Sequence, residues 1–186
     1  MATTADFDQA FELLIGHEGG YSNDPRDPGN WTGGQVNSGI CKGTKFGIAA
    51  NSYPNEDIPN LTLEQAKAIY FRDYWSKAGC PDMPPRLAFQ MFDCGVNNGT
   101  GRAVRFLQGA VGAGVDGAYG PQTKAALDRK LATDRLGMEL ANEVHAQRIF
   151  FMAKLSTWDT FGLGWSRRLA AIPHQAAHYW PASDLA

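Results

Sequence analysis

Glu18 closes an apolar stripe. On a helical wheel turning about 100° per residue, Phe7, Phe11, Leu14 and Glu18 share one narrow face of the segment from Asp6 to Glu18. A carboxyl group that continues such a face is driven toward a poorly hydrated place, where desolvation disfavours the charged form and raises the pKa. It then becomes a proton donor near neutral pH. Gly19 and Gly20 leave room for a ligand beside it, and Tyr21 puts an aromatic ring at the edge of that room. The same carboxylate at a frayed helix end would instead be a surface group or the partner of an arginine. The following loop favours the chemical reading, because Asp24, Asp27 and Thr44 place short polar side chains where the chain can fold back toward Glu18. A general acid next to a group that holds a water is the minimal equipment for cutting a glycosidic bond. Asp24 and Asp27 compete for the second carboxylate role, since an Asp before Pro is commonly a turn residue that bonds its own backbone.

The elements that must position these groups are mostly helical. Almost no run alternates apolar and polar residues. A first helix over Asp6–Glu18 stops at the two glycines. From Gly20 to about Asn60 the chain is crowded with Gly, Asn, Asp and Pro, which predicts turns and at most a short hairpin. Thr62 with Gln65 reads as a capping box, opening a helix with Leu63, Ala66, Tyr70 and Tyr74 on one stripe until Gly79. Pro84 and Pro85 open a third helix, with Leu87, Met91 and Cys94 on a buried face, ended by Asn97, Asn98 and Gly99. Further helices are expected near Gly101–Val111, Pro121–Leu131, Thr133–Leu155 and from Phe161 to the Ala170 region.

Composition excludes several classes. The chain has 186 residues and a formal charge of -2, without the basic excess of a dedicated nucleic-acid binder. No run approaches the roughly 18 apolar residues of a membrane span. The first residues, Met1 to Asp8, lack the pattern of an export signal. Cys41, Cys80 and Cys94 form no CxxC spacing and read as structural thiols. His174 and His178 stand at i, i+4 but lack the Glu of a zinc-peptidase motif, so no metal or organic cofactor is expected. Asn30, Asn60 and Asn98 begin glycosylation-like triplets that carry no meaning without export. Residues 1–64 hold nine acids and three bases, whereas residues 145–180 hold four bases and one acid. In that basic tail, Trp165, Arg167, Arg168, Leu169 and Ile172 combine bulky apolar with cationic residues, a composition for packing or for anionic envelope lipids.

The motifs His17-Glu18-Gly19-Gly20-Tyr21, Asn23-Asp24-Pro25 with Asp27, and Thr44-Lys45-Phe46-Gly47-Ile48 resemble the family 108 glycoside hydrolases, N-acetylmuramidases of the lysozyme-like superfamily. The likeness continues through Tyr74-Trp75, Phe92-Asp93, Val96-Asn97 and Arg102-Ala103-Val104. Val115-Asp116-Gly117 with Gly120-Pro121 and Thr123 is similar to the peptidoglycan-binding-like half of that family. Asn30 to Gly43 looks like an insertion between the Asp-Pro turn and Thr44. The resemblance implies a mainly α, lysozyme-like domain with a small turn-rich or β-hairpin lobe. It implies a catalytic region at 1–99, a wall-binding-like helical region at 100–186 in the same globule, and a cleft between the first helix and the lobe. Glu18 would protonate the oxygen between N-acetylmuramic acid and N-acetylglucosamine. By similarity to phage-type lysozymes, Asp27 would stabilise an oxocarbenium ion or activate water, and Thr44 would position that water. Tyr21, Tyr74, Trp75 and Asn97 would stack on a pyranose or bond an acetamido group, although Tyr74 also suits core packing and Asn97 a helix cap. The expected role is that of an antimicrobial phage endolysin: a monomer acting on bacterial peptidoglycan, held in the host cytoplasm until another protein opens the membrane. A lytic transglycosylase and a non-catalytic wall-binding protein are the rival readings.

Overall fold

The computed structural model describes residues 1–15 and 20–181. Seven α-helices are found there: α1 (Thr4–Leu14), α2 (Leu63–Tyr70), α3 (Pro85–Asn98), α4 (Thr100–Val111), α5 (Pro121–Leu131), α6 (Met138–Met152) and α7 (Trp158–Tyr179). A two-stranded antiparallel sheet, β1 (Thr44–Lys45) and β2 (Ile48–Ala49), is the one named sheet among the described residues. The protein is therefore mainly α with a small hairpin lobe, as expected. Two compact units make up the chain, Asp8–Phe71 and Met1–Phe7 with Arg72–Ala186. The expected functional boundary after residue 99 falls between α3 and α4, within the larger unit.

In the smaller unit, Ala10 and Phe11 of α1 are buried with Ile48, Ile58, Leu61, Ala66, Ile69 and Tyr70. The Phe11 and Tyr70 rings meet edge-on at 5.5 Å. The Thr62 capping box forms as expected, with Gln65 N–H on Thr62 Oγ1 at 3.2 Å and Thr62 N–H on Gln65 Oε1 at 2.8 Å. Few apolar residues are available between residues 20 and 60, and lysines tie the loops instead. Lys42 donates to the carbonyls of Pro54 and Glu56, and Lys45 to that of Pro59.

In the larger unit Phe7, Trp75 and Phe92 form a triangle of edge-on rings with centroids 5.5 to 5.7 Å apart. α3 is the central helix and contacts α4, α6 and α7. Its fully buried Asp93 carboxyl group is paired with Arg148 from α6 and Arg168 from α7. Arg148 also donates to Asn98 Oδ1 at 2.7 Å. Burial raises the thiols of Cys80 and Cys94, the latter to about 12, so both are neutral packing groups.

Four departures from the sequence expectations have identifiable causes. α1 starts at Thr4 because Thr3 and Asp6 cap it reciprocally, the Asp6 carboxylate accepting from Thr3 N–H at 2.6 Å. After α2 the chain widens into a π-helix over Phe71–Ser76. That extra residue per turn shifts the phase, so Trp75 is buried while Tyr74 is half exposed. α6 starts at Met138, not Thr133, because Gly137 takes a left-handed φ of 65° and the Asp134 carboxylate caps the N–H groups of Met138 and Leu140. α7 runs past Ala170 with Pro173 inside it. A proline cannot donate to the carbonyl four residues before it, here that of Leu169. Ile172 and Ala176, on either side of that proline, are buried, and this packing carries the helix on to Tyr179.

Two outcomes follow from these buried groups. Asp93→Asn leaves Arg148 inside without a counter-charge and is expected to cost about 3–5 kcal/mol in chemical denaturation. Arg168→Gln, whose side chain is half in water, is expected to cost far less. Burial, with the Arg148 charge, lowers the His145 pKa. Its NMR titration midpoint should fall below the ordinary value of about 6.5. In that window the unfolded chain binds the proton better, so this site favours the fold above pH 6.5 and opposes it as pH falls.

Candidate active site

The polar groups of the smaller unit converge on one short stretch of backbone. Ser22 and Thr44 exchange two hydrogen bonds, N–H to carbonyl at 2.9 and 2.8 Å, stitching the chain that follows the first helix onto β1. The turn from β1 to β2 is Phe46-Gly47, with φ of 51° and 74°. Two positive values mark a type I′ turn, whose twist matches that of the strands. Tyr70 steadies it by donating to the Phe46 carbonyl at 3.1 Å.

Thr44, Tyr21, Asp24 and Asp27 all sit in this unit. Tyr21 is 43% exposed and its hydroxyl donates to the Lys42 carbonyl at 3.2 Å. Its ring lies where a Cβ on Gly43 would stand 2.6 Å away, so the glycine lets the ring lie against the strand. Asp24 is bound by its neighbour: its carboxylate accepts from both the backbone N–H and the guanidinium of Arg26. Those bonds, the side-chain one first, hold its pKa below the usual carboxylate range. Asp24 is thus an Asx-turn residue. Asp27 is exposed and caps a 3-10 turn, Pro28–Asn30, accepting from Gly29 N–H at 2.8 Å. Glu18 and His17 lie outside the described residues.

The 30–43 loop does not pull the lobe apart. The Asn30 carbonyl accepts from the N–H groups of Lys42 and Gly43 at 2.9 and 3.1 Å, and Trp31 bridges to Cys41, so the loop closes at its base. Asn30 and Thr44 end up touching, the Thr44 hydroxyl donating to Asn30 Oδ1 at 2.7 Å. In the sequence Asn30 stands out as the start of a glycosylation-like triplet and of the Asn30–Gly43 segment, not as a partner of Thr44. Its place at the end of the Asp27-Pro28-Gly29 turn was the available signal.

Tyr74, Trp75 and Asn97 belong to the larger unit. Trp75 corrects its expected role: at 1% exposure, edge-on to Phe7 and Phe92, it offers no face to a sugar. Tyr74 is half exposed. Asn97 is exposed and its amide donates to the Asp93 carbonyl at 2.9 Å, near the end of α3. Further along, buried Gln108 shapes the Asp116 turn, bonding the Asp116 carboxylate, the Ala118 carbonyl and Thr123 Oγ1, and accepting from Gly117 N–H. In the basic tail Leu169 and Ile172 are buried and Arg168 is held by Asp93, which leaves Arg167 exposed and Trp165 half-buried beside the rings of Trp158 and Phe161. No cluster among the described residues has the ligands for a metal ion, and no helix among them is long and apolar enough to cross a membrane.

This geometry can be set beside known proteins. Fold and lobe define a lysozyme-like, mainly α protein. Residues 11–99 match the family described as Glycosyl hydrolase 108, a segment that includes position 18 and every candidate site residue. The solved structure of Brucella abortus SagA is similar with a TM-score of 0.74 and 29% identity, over 96% of this chain and 98% of that one. No curated protein matches. Over residues 11–99, somewhat less than half of its length, the chain is similar to the glycosyl hydrolase 108 family, and that match supports a glycoside hydrolase.

The turn that presents Thr44 gives a direct check. A Cβ at Gly47 would add the cost of a left-handed φ and stand 2.5 Å from the Tyr70 hydroxyl oxygen. Gly47→Ala is expected to lower stability by about 1–2 kcal/mol, read by thermal melting.

Proposed function

We propose that this protein is a peptidoglycan hydrolase that cuts the β-1,4 bond between N-acetylmuramic acid and N-acetylglucosamine. The observation that carries the reading is the family match over residues 11–99, which includes Glu18 and the lobe that holds Tyr21, Asp27 and Thr44. Glu18 is the general acid that protonates the leaving oxygen. Asp27 is the second carboxylate, favoured over Asp24 because Asp24 is engaged by Arg26 on both its oxygens. Thr44 holds the attacking water. Tyr21, with its exposed ring, stacks on a pyranose, while Tyr74 and Asn97 supply further sugar contacts. Residues 100–186, with the depression beside Asp116 and Thr123 at the start of α5, contribute wall affinity. The exposed Arg167, with the half-buried Trp165 beside it, supplies the contact with anionic envelope lipids. The biological role is that of an endolysin, a monomer that works without metal or organic cofactor once it reaches the wall.

Mass spectrometry of digested wall material tests the reaction. Reducing muramyl ends are expected, and anhydro-muramyl ends would assign the protein to the lytic transglycosylases. Glu18→Gln is expected to lose about a hundredfold or more in turnover, the scale of general acid catalysis, with its melting temperature retained. Undiminished turnover in that variant would remove Glu18 from the mechanism.

A further inference from the structure

Asn30 is fully buried, yet all of its polar groups have partners. Its Nδ2 donates to the Asp24 carbonyl at 3.0 Å, and its Oδ1 accepts from the Thr44 hydroxyl at 2.7 Å. Its backbone N–H donates to the Asp27 carbonyl at 3.1 Å, and its own carbonyl holds the base of the 30–43 loop. The amide has only one workable orientation. Flipped, it would set Oδ1 against the Asp24 carbonyl, two acceptors with no proton between them. The Thr44 hydroxyl carries a single hydrogen, and that hydrogen is committed to Asn30. What remains on Thr44 are acceptor lone pairs.

We infer that Asn30 is a positioning residue for the hydrolytic water, acting through Thr44; the inference rests on the reading that Thr44 holds this water. A water at Thr44 must donate one of its own O–H bonds to the threonine oxygen. Its lone pairs are thereby turned away from Thr44 and toward the sugar. In the reaction the water oxygen bonds the anomeric carbon as the bond from that carbon to the bridging oxygen breaks. The bridging oxygen takes the proton of Glu18, and the water's second proton passes to the carboxylate of Asp27. Were the Thr44 hydroxyl free to rotate, it could donate to the water and occupy the lone pair the attack requires.

Asn30→Asp tests this with a pH signature. The protonated carboxyl reproduces the amide, its O–H on the Asp24 carbonyl and its C=O toward Thr44, whereas the ionised form places a charge against that carbonyl. The titratable and charged groups around it are Asp24, Arg26, Asp27 and Lys42. Arg26 is spent on Asp24, and the Lys42 ammonium is directed to the carbonyls of Pro54 and Glu56. Taken as a ratio to wild type at each pH, kcat is expected to be down about tenfold at neutral pH, the scale of a misplaced reactant. It should recover as the pH falls, with KM within about twofold. On a Thr44→Val background the same substitution should change kcat by less than about twofold. A wild-type kcat ratio at every pH, or an equal loss with and without the Thr44 hydroxyl, would overturn the inference. Asn30→Ala, judged by the same kcat, KM and Thr44→Val comparisons, replaces the carboxyl variant if that one does not fold. In the wild-type protein the Thr44 hydroxyl proton should resist exchange in NMR, and exchange at the rate of an exposed threonine would also overturn it. Glu18→Gln measured in parallel separates the two levels. If it is inactive while Asn30→Asp matches wild type, only the role of Asn30 fails; if it turns over like wild type, Glu18 fails as the acid; and if the wild-type protein releases no reducing muramyl ends, the hydrolase reading fails first.

Discussion

A lobe of some forty residues with two-residue strands has little regular structure to hold its side chains still, so it must rely on buried polar bonds. The Asn30 amide is the principal one. One side chain and one peptide group join the Asp24–Asp27 turn, the base of the 30–43 loop and the Thr44 hydroxyl. Buried, such bonds are costly to leave unmade, so each fixes its neighbour. The lysines that reach the carbonyls of the 54–59 segment extend the same strategy to the rest of the lobe.

The larger unit solves a different problem. Its helices have ample apolar surface, and the aromatic triangle of Phe7, Trp75 and Phe92 fills its centre. Into this core it places a carboxylate, Asp93, and surrounds it with guanidinium groups from two other helices. A buried ion pair of this kind is weak evidence of stability, while removing one partner strands the other charge in the core. The arrangement also uses up half the bases of the tail, which looks more cationic in sequence than it is on the surface.

Much of the helical plan was legible because it depends on local signals. The Thr62–Gln65 capping box, the Pro121 start of α5 and the Asn98-Gly99 end of α3 stand where residue type alone puts them. Misplaced boundaries trace to partners distant in space or to a change of helical period. α7 continues past Ala170 with Ile172 and Ala176 buried in the larger unit, and the π turn at 71–76 leaves no mark that periodicity reads. Of the candidate site, the residue types and their order were visible, and Trp75 was misread because an aromatic beside a motif looks the same whether it faces sugar or core.

What the sequence by itself determined is the inventory: a carboxyl group on an apolar stripe, a turn-rich lobe after it, and the helices beyond. Those follow from spacing and composition, which act over a few residues. Tertiary structure alone decided that Asn30 meets Thr44 across the 30–43 loop and that Trp75 is interior. Each of these depends on which donors and acceptors the folded chain leaves for one another, and such a balance exists only once distant segments are packed together.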